Sequence, residues 1–228
     1  MTFQKFILGL VASFGLPWLL LIVVPFAKMK SPEVISFDEA KDDKVGTYAP
    51  SRSGRIANGS EVYGANGCYV CHTQVIRPTY AGSEIWRDDW AGQKKNADDK
   101  DTRRESNVFD YQGESIAHIG LTRVGPDLSN VGYRLEKRAE KMGLSVEAYV
   151  YNRLINPRKE IGNHWSTCPS QPHLFSKVSK AAQANAYEVE GKDYKLEPTS
   201  KAKALASYLQ SLKKDDAVPS AIDYRRSK

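Results

Sequence analysis

The chain is poor in the residues that build covalent cross-links and metal clusters. It has three cysteines, four histidines and three methionines in 228 residues. An odd cysteine count with two of the three only three positions apart argues against a disulfide framework. No second Cys/His pair accompanies the first, and structural zinc sites normally use two ligand pairs. Block charge is also lacking. The 33 basic and 27 acidic residues are interspersed, so the net charge of +6 and the pI near 9.1 come without an arginine or lysine block. With no nucleic-acid motif either, this excludes nucleic acid as the expected partner. The charge is read as solubility, with a contribution to docking or membrane-surface contact. Finally, no charged residue falls between Phe6 and Phe26.

What is present centres on Cys68-Tyr69-Val70-Cys71-His72. Two cysteines three apart with histidine immediately after the second form the attachment pattern of a c-type haem. One helical turn sets both sulfurs along one porphyrin edge, each able to form a thioether with a vinyl group. His72 then lies under the ring and offers a nitrogen to iron. Zinc held with the help of Cys168 is the competing reading. The expected cofactor is one covalent haem c.

The apolar run from Phe6 to Phe26 would be about 31 Å long as a helix, against a hydrocarbon core of about 30 Å. It is longer than a signal-peptide core, and Ala27-Lys28-Met29 does not resemble a cleavage site. Residues 1–30 are therefore expected to be a membrane anchor, with Pro17 and Pro25 kinking or ending the helix. Lys5 on one side and Lys28 and Lys30 on the other leave the charge rule undecided. Haem c is attached outside the bacterial cytoplasm. That places the N-terminus in the cytoplasm and the body in the periplasm, single-pass in the inner membrane.

Residues 31–52 read as a polar linker, followed by a domain over 53–212. Within it, Ile56, Gly59 and Tyr63 predict a helix from Ser53 to Asn66, ended by Gly67. Residues 87–115 read as a polar surface insertion without periodicity. Gly125-Pro126-Asp127-Leu128 reads as a turn. Val146, Tyr149, Val150 and Leu154 predict a helix over 145–155, stopped before Pro157. Residues 156–175 read as loop. Leu205, Tyr208, Leu209 and Leu212 predict a helix over 199–212 capped by Thr199 or Ser200. Residues 213–228 read as a frayed tail.

Residues 53–212 resemble a class I cytochrome c. The resemblance pairs an N-terminal helix carrying glycine and an aromatic, here Gly59 and Tyr63, with a C-terminal helix carrying Leu205 and Tyr208. It implies a mainly α protein: one transmembrane helix plus a helical domain with long loops. It also implies that the Pro126 carbonyl accepts a hydrogen bond from the proximal imidazole. The segments GCYVCHTQVIRP, RVGPDLSNVG and INPR, with the anchor, are similar to subunit II of the cbb3-type cytochrome c oxidases. Gln74, Ile76, Arg77 and Pro78 are the specific part. That resemblance implies a non-catalytic electron-transport subunit of the respiratory chain. It would pass electrons from a donor cytochrome c to a separate haem-copper subunit that reduces oxygen, beside other oxidase subunits in the lipid bilayer. A free-standing anchored electron shuttle, and a haem-based sensor or peroxidase with an open iron site, are the alternatives.

The family places its distal iron ligand, a methionine, shortly after Asn-Pro-Arg. Here Met1, Met29 and Met142 all precede Asn156-Pro157-Arg158, so that ligand is missing. Cys168-Pro169 occupies the expected register, which makes Cys168 the first candidate and His164 the second. His173 is a later candidate, and His118, ahead of the proline motif, is the weakest. Thiolate or imidazole in place of methionine would make the haem a stronger reductant. Arg77 is a candidate partner for a haem propionate. Trp86, Trp90 and Trp165 are candidates for shielding a haem edge.

Overall fold

The computed structural model describes residues 2–28, 53–95, 97, 99–111, 113–160, 164–181 and 186–216. The expected linker, Met1, Met29 and the tail beyond Asp216 lie outside the described residues. Two compact units are present, Met1–Glu33 and Val34–Lys228. The described chain is mainly helical, with one small sheet.

The first unit is a helix, α1 (Phe3–Lys28), of 26 residues. It runs through both prolines rather than stopping at either. The helix widens into π-type turns at Val11–Gly15 and Leu19–Val23, a common way to absorb the hydrogen bond that a proline cannot make. None of its side chains is buried. Phe6, Phe14, Leu20 and Ile22 are exposed on different sides. A helix apolar all round is suited to an apolar medium, and this one is long and apolar enough to cross a membrane.

In the second unit, α2 (Gly54–Ala65) leads to a single turn, α3 (Cys68–Cys71). Gly67 between them has φ +65°, the left-handed conformation that ends a helix cheaply only at glycine. Next come α4 (Val131–Lys141), α5 (Val146–Ile155), strands β1 (Phe175–Ser179), β2 (Tyr187–Glu188) and β3 (Tyr194–Pro198), and α6 (Ser200–Ser211). The sheet is antiparallel in the order β1-β3-β2, with Phe175 opposite Pro198 and Leu196 opposite both Lys177 and Tyr187. Ser145 caps α5 and Thr199 caps α6, each accepting from a backbone N–H three residues on.

The core lies where α6 meets α2, α4 and α5. Tyr63, Val131, Val150, Leu174, Leu205, Tyr208 and Leu212 are buried in one cluster. Gly59 lets α2 approach the Ala204 carbonyl of α6 directly.

Two expectations are corrected by the packing. The described residues of 87–115 are irregular apart from one short 3-10 helix, Val108–Tyr111, but they are not a surface loop throughout. Ala91 and Arg104 are buried, and Arg104 pairs with Asp110 while its Nε donates to the Asp216 carbonyl at 2.9 Å. Nor does the chain fray from Lys213. Lys214 and Asp215 are buried, with Lys214 2.9 Å from Glu114 and Asp215 accepting from Thr102 and Tyr133. Lys214 and Glu114, charges that looked solvated in the sequence, pair across the two segments. Periodicity cannot reveal pairing between residues about a hundred positions apart.

Candidate functional site

Helix α3 brings Cys68 and Cys71 onto one turn, both half-buried and free. The backbone leaves the helix at His72, which is extended at ψ 137°. The His72 ring is thereby turned onto the loop that carries Gly125 and Pro126. Its Nδ1 lies 2.8 Å from the Pro126 carbonyl. A carbonyl only accepts, so Nδ1 carries the proton and Nε2 keeps its lone pair. Burial, the largest influence, pushes the His72 pKa below the ordinary imidazole value. The neutral ring is the form that can bind a metal.

The loop over 119–125 is laced to the motif by backbone bonds. Gln74 N–H donates to Ile119 at 2.9 Å, Leu121 to Tyr69 at 2.9 Å and Gly125 to Cys71 at 2.8 Å. Two glycines make room for this. Gly120, at φ +95°, passes the backbone of Thr73, and Gly125 lies flat against the His72 ring. Val70, Ile119, Leu121 and Val124, on these two segments, are 43%, 50%, 70% and 65% exposed. Uncovered apolar surface therefore accompanies the two thiols and the imidazole.

The continuation of the motif to Pro78 serves as a clamp. Thr73 Oγ1 donates to Asp127 at 2.6 Å, and Val75 N–H to the same oxygen at 2.9 Å. Gln74 Nε2 donates to Tyr208 at 3.0 Å, tying the motif to α6. Ile76 is buried and exchanges two bonds with Ser106. Arg77 is not free: its Nε donates to buried Glu84 at 2.8 Å, and Glu84 also pairs with Arg123. Asp127, Arg123 and Glu84 were not singled out from the sequence. The only signal was the polar character of Asp127 inside an otherwise turn-like motif.

The remaining candidates separate. Cys168 is half-buried, and burial raises its thiol pKa, with Arg153 and Arg158 opposing. Its loop is held at one end by Gln171 N–H on Leu154, 2.7 Å, and by the His173 ring on Asn66, the residue that ends α2. His164 is exposed, and His173 is engaged with Asn66. His118 points inward: Nε2 donates to the Ser60 carbonyl at 3.1 Å, and the ring packs edge-on to Tyr63 and face-on to Tyr69. Met142 caps α4. Trp90 lies under the guanidinium of Arg87 at 4.2 Å and that of Arg134 at 4.9 Å, while Trp86 and Trp165 are exposed. Among the described residues no three His, Cys, Asp or Glu side chains come together to hold a metal ion. The zinc alternative therefore lacks a coordination set there.

His118 carries a pH prediction. Burial pushes its pKa down, and Lys214 acts the same way, against Glu114 and the Ser60 carbonyl. Burial pushes the neighbouring Tyr63 hydroxyl up, so it stays neutral at these pH values. Below about pH 6.5 the unfolded chain takes up a proton that the folded chain refuses, so stability falls with acidification. His118→Phe should flatten the fall in urea-unfolding free energy between about pH 6.5 and 5. An unchanged slope would show that His118 does not cause it.

Compared with known proteins, the chain matches no family model and no curated protein.

Proposed function

We propose that residues 53–216 form a class I cytochrome c-like body carrying one covalent haem c. In this reading the chain is the electron-transfer subunit of a membrane terminal oxidase of the cbb3 type. The observation that carries it is the His72 ring, fixed by the Pro126 carbonyl with Nε2 free, one residue beyond a helical turn bearing Cys68 and Cys71. The residues present fit the group. Two thiols share one turn, a neutral imidazole faces away from its carbonyl partner, and Val70, Ile119, Leu121 and Val124 supply apolar surface that a porphyrin would cover.

The haem supplies a one-electron change at iron; the chain supplies everything that makes it usable. Cys68 and Cys71 hold the porphyrin edge. The carbonyl of Pro126 fixes the tautomer and orientation of His72 and raises its basicity. Gly125 keeps the ring upright. Residues 73–78, bonded to Asp127, Tyr208, Ser106 and Glu84, keep the motif from shifting against α6. On the distal side Cys168 is the proposed ligand, with His164 the alternative. Cys168 holds the expected register and is half-buried, whereas His164 is exposed. Arg77, held on Glu84 by Nε and Nη2, retains a further N–H edge for a propionate. Helix α1 anchors the chain in the inner membrane with its N-terminus cytoplasmic and the haem body periplasmic. The electron comes from a donor cytochrome c and leaves to a haem-copper subunit.

Mild detergent extraction of native membranes tests the assignment. The chain should co-purify with a multi-helix haem-copper subunit; recovery only as an unpartnered monomer favours the free shuttle. For the distal ligand, the electron paramagnetic resonance spectrum of the oxidised protein should change in Cys168→Ala and not in His164→Ala. The reverse result would assign His164. Carbon monoxide binding to the reduced wild type would indicate an open site and the sensor or peroxidase reading.

A further inference from the structure

Beneath His72 lies a fully buried carboxylate whose place is too well built for a turn residue. Asp127 has no solvent exposure. It accepts from Thr73 Oγ1 at 2.6 Å, Val75 N–H at 2.9 Å and Ser129 N–H at 2.8 Å, and Arg123 lies 3.7 Å away. Every one of these groups donates, the arrangement that suits an ionised carboxylate, which only accepts. Its position is tied to the imidazole from both sides: Thr73 follows His72, and Asp127 follows Pro126. Arg134 of α4 is the opposing charge. It donates to the Asp127 backbone carbonyl and to the Asp89 carbonyl at 3.0 Å, and stacks on Trp90.

We infer that buried Asp127 and half-buried Arg134 are an opposed pair of charges acting through His72 to set the reduction potential of the haem iron. The inference rests on the haem reading above. Thr73, the neighbour of His72, bonds the Asp127 carboxylate, and Arg134 bonds the backbone carbonyl of Asp127, the neighbour of Pro126; a negative charge there favours a positive ring and a positive charge disfavours it. The same signs apply to iron. Reduction adds one electron, forms and breaks no bond, and requires no proton. A fixed negative charge therefore opposes it and a fixed positive charge favours it. The field acts through a dry, packed interior where screening is weak. Arg123, 3.7 Å from Asp127, shares Glu84 with Arg77 and offsets part of the Asp127 charge. Asp89 is itself paired with Lys137 at 2.6 Å. Neither Asp127 nor Arg134 is a candidate iron ligand. Both are positioning residues.

Redox titration of the purified holoprotein, followed by its absorption spectrum, tests this. Asp127→Asn should shift the one-electron equilibrium about tenfold toward the reduced form, roughly 59 mV upward. Arg134→Gln should shift it by a comparable factor in the opposite direction. Asp127→Glu and Arg134→Lys, which keep the charge, should stay near wild type. If Asp127→Asn does not fold, the downward shift in Arg134→Gln alone decides. Shifts of the same sign, or charge-keeping variants that move as far as the neutral ones, would mean the residues act by packing and would overturn the inference. A wild type with no attached haem would instead overturn the functional reading on which it rests. The two failures are read separately, because attachment is measured first.

Discussion

Gly59→Ala should destabilise the folded body by about 3 kcal/mol, the upper part of the range for overpacking a tight core. For a body of this size that lowers the melting temperature by roughly 10 °C. The reason is the crossing of α2 and α6. A Cβ at 59 would lie 2.6 Å from the Tyr208 Cβ and 2.7 Å from the Ala204 carbonyl carbon. Neither neighbour is the end of a flexible side chain. Tyr208 is fully buried and bonded through its hydroxyl to Gln74, so it cannot swing aside without unsettling the motif. The helices must separate. Gly54, in the first turn of the same helix, has nothing within 4 Å of its would-be Cβ, and alanine there should be neutral or slightly stabilising. Paired melting curves of the two variants measure the crossing itself. Equal melting temperatures would refute it.

Gly125→Ala should leave any thioether bonds intact and yet destroy the ligand geometry. A Cβ at 125 would stand 2.5 Å from Nδ1 and 2.8 Å from Nε2 of His72. The ring must rotate or retreat, and the Nδ1 bond to Pro126 breaks. Outer partners of a metal-bound histidine are commonly worth about 10–100-fold in metal affinity, and displacement of the ring itself should reach the upper end. The expected signature is covalently attached haem whose absorption spectrum changes from low-spin to high-spin. A variant with unaltered low-spin bands would show that Gly125 does not set the position of His72.

The helices were legible because each depends on neighbours in sequence. The expected helices over 53–66, 145–155 and 199–212 are found as Gly54–Ala65, Val146–Ile155 and Ser200–Ser211. Gly67 ends the first of them as its position implied. Helix α4 and the three-stranded sheet were not foreseen. In α4, four basic residues among Arg134–Lys141 hide the apolar stripe of Val131 and Leu135. The strands are short, and only Leu196 is buried among Tyr194, Lys195 and Leu196 of β3.

Within the candidate site, the bond from His72 to Pro126 was expected from the resemblance, and the geometry has it at 2.8 Å. The clamp on residues 73–78 was not foreseen, because its partners Ser106, Asp127 and Tyr208 lie tens of residues away or more. Arg77 illustrates the same limit: in sequence it is an arginine available to any anion, and in the fold Glu84 already holds it.

The central claim is that Cys68 and Cys71 hold a haem covalently. The most direct measurement is the mass of the full chain, expressed in a bacterium that exports and attaches haem c, after denaturation and acid extraction. Retention of one haem per chain is predicted, lost in the Cys68→Ala, Cys71→Ala double variant and kept in Cys168→Ala. A wild-type chain that matures in such a host at the mass of the bare polypeptide would contradict it.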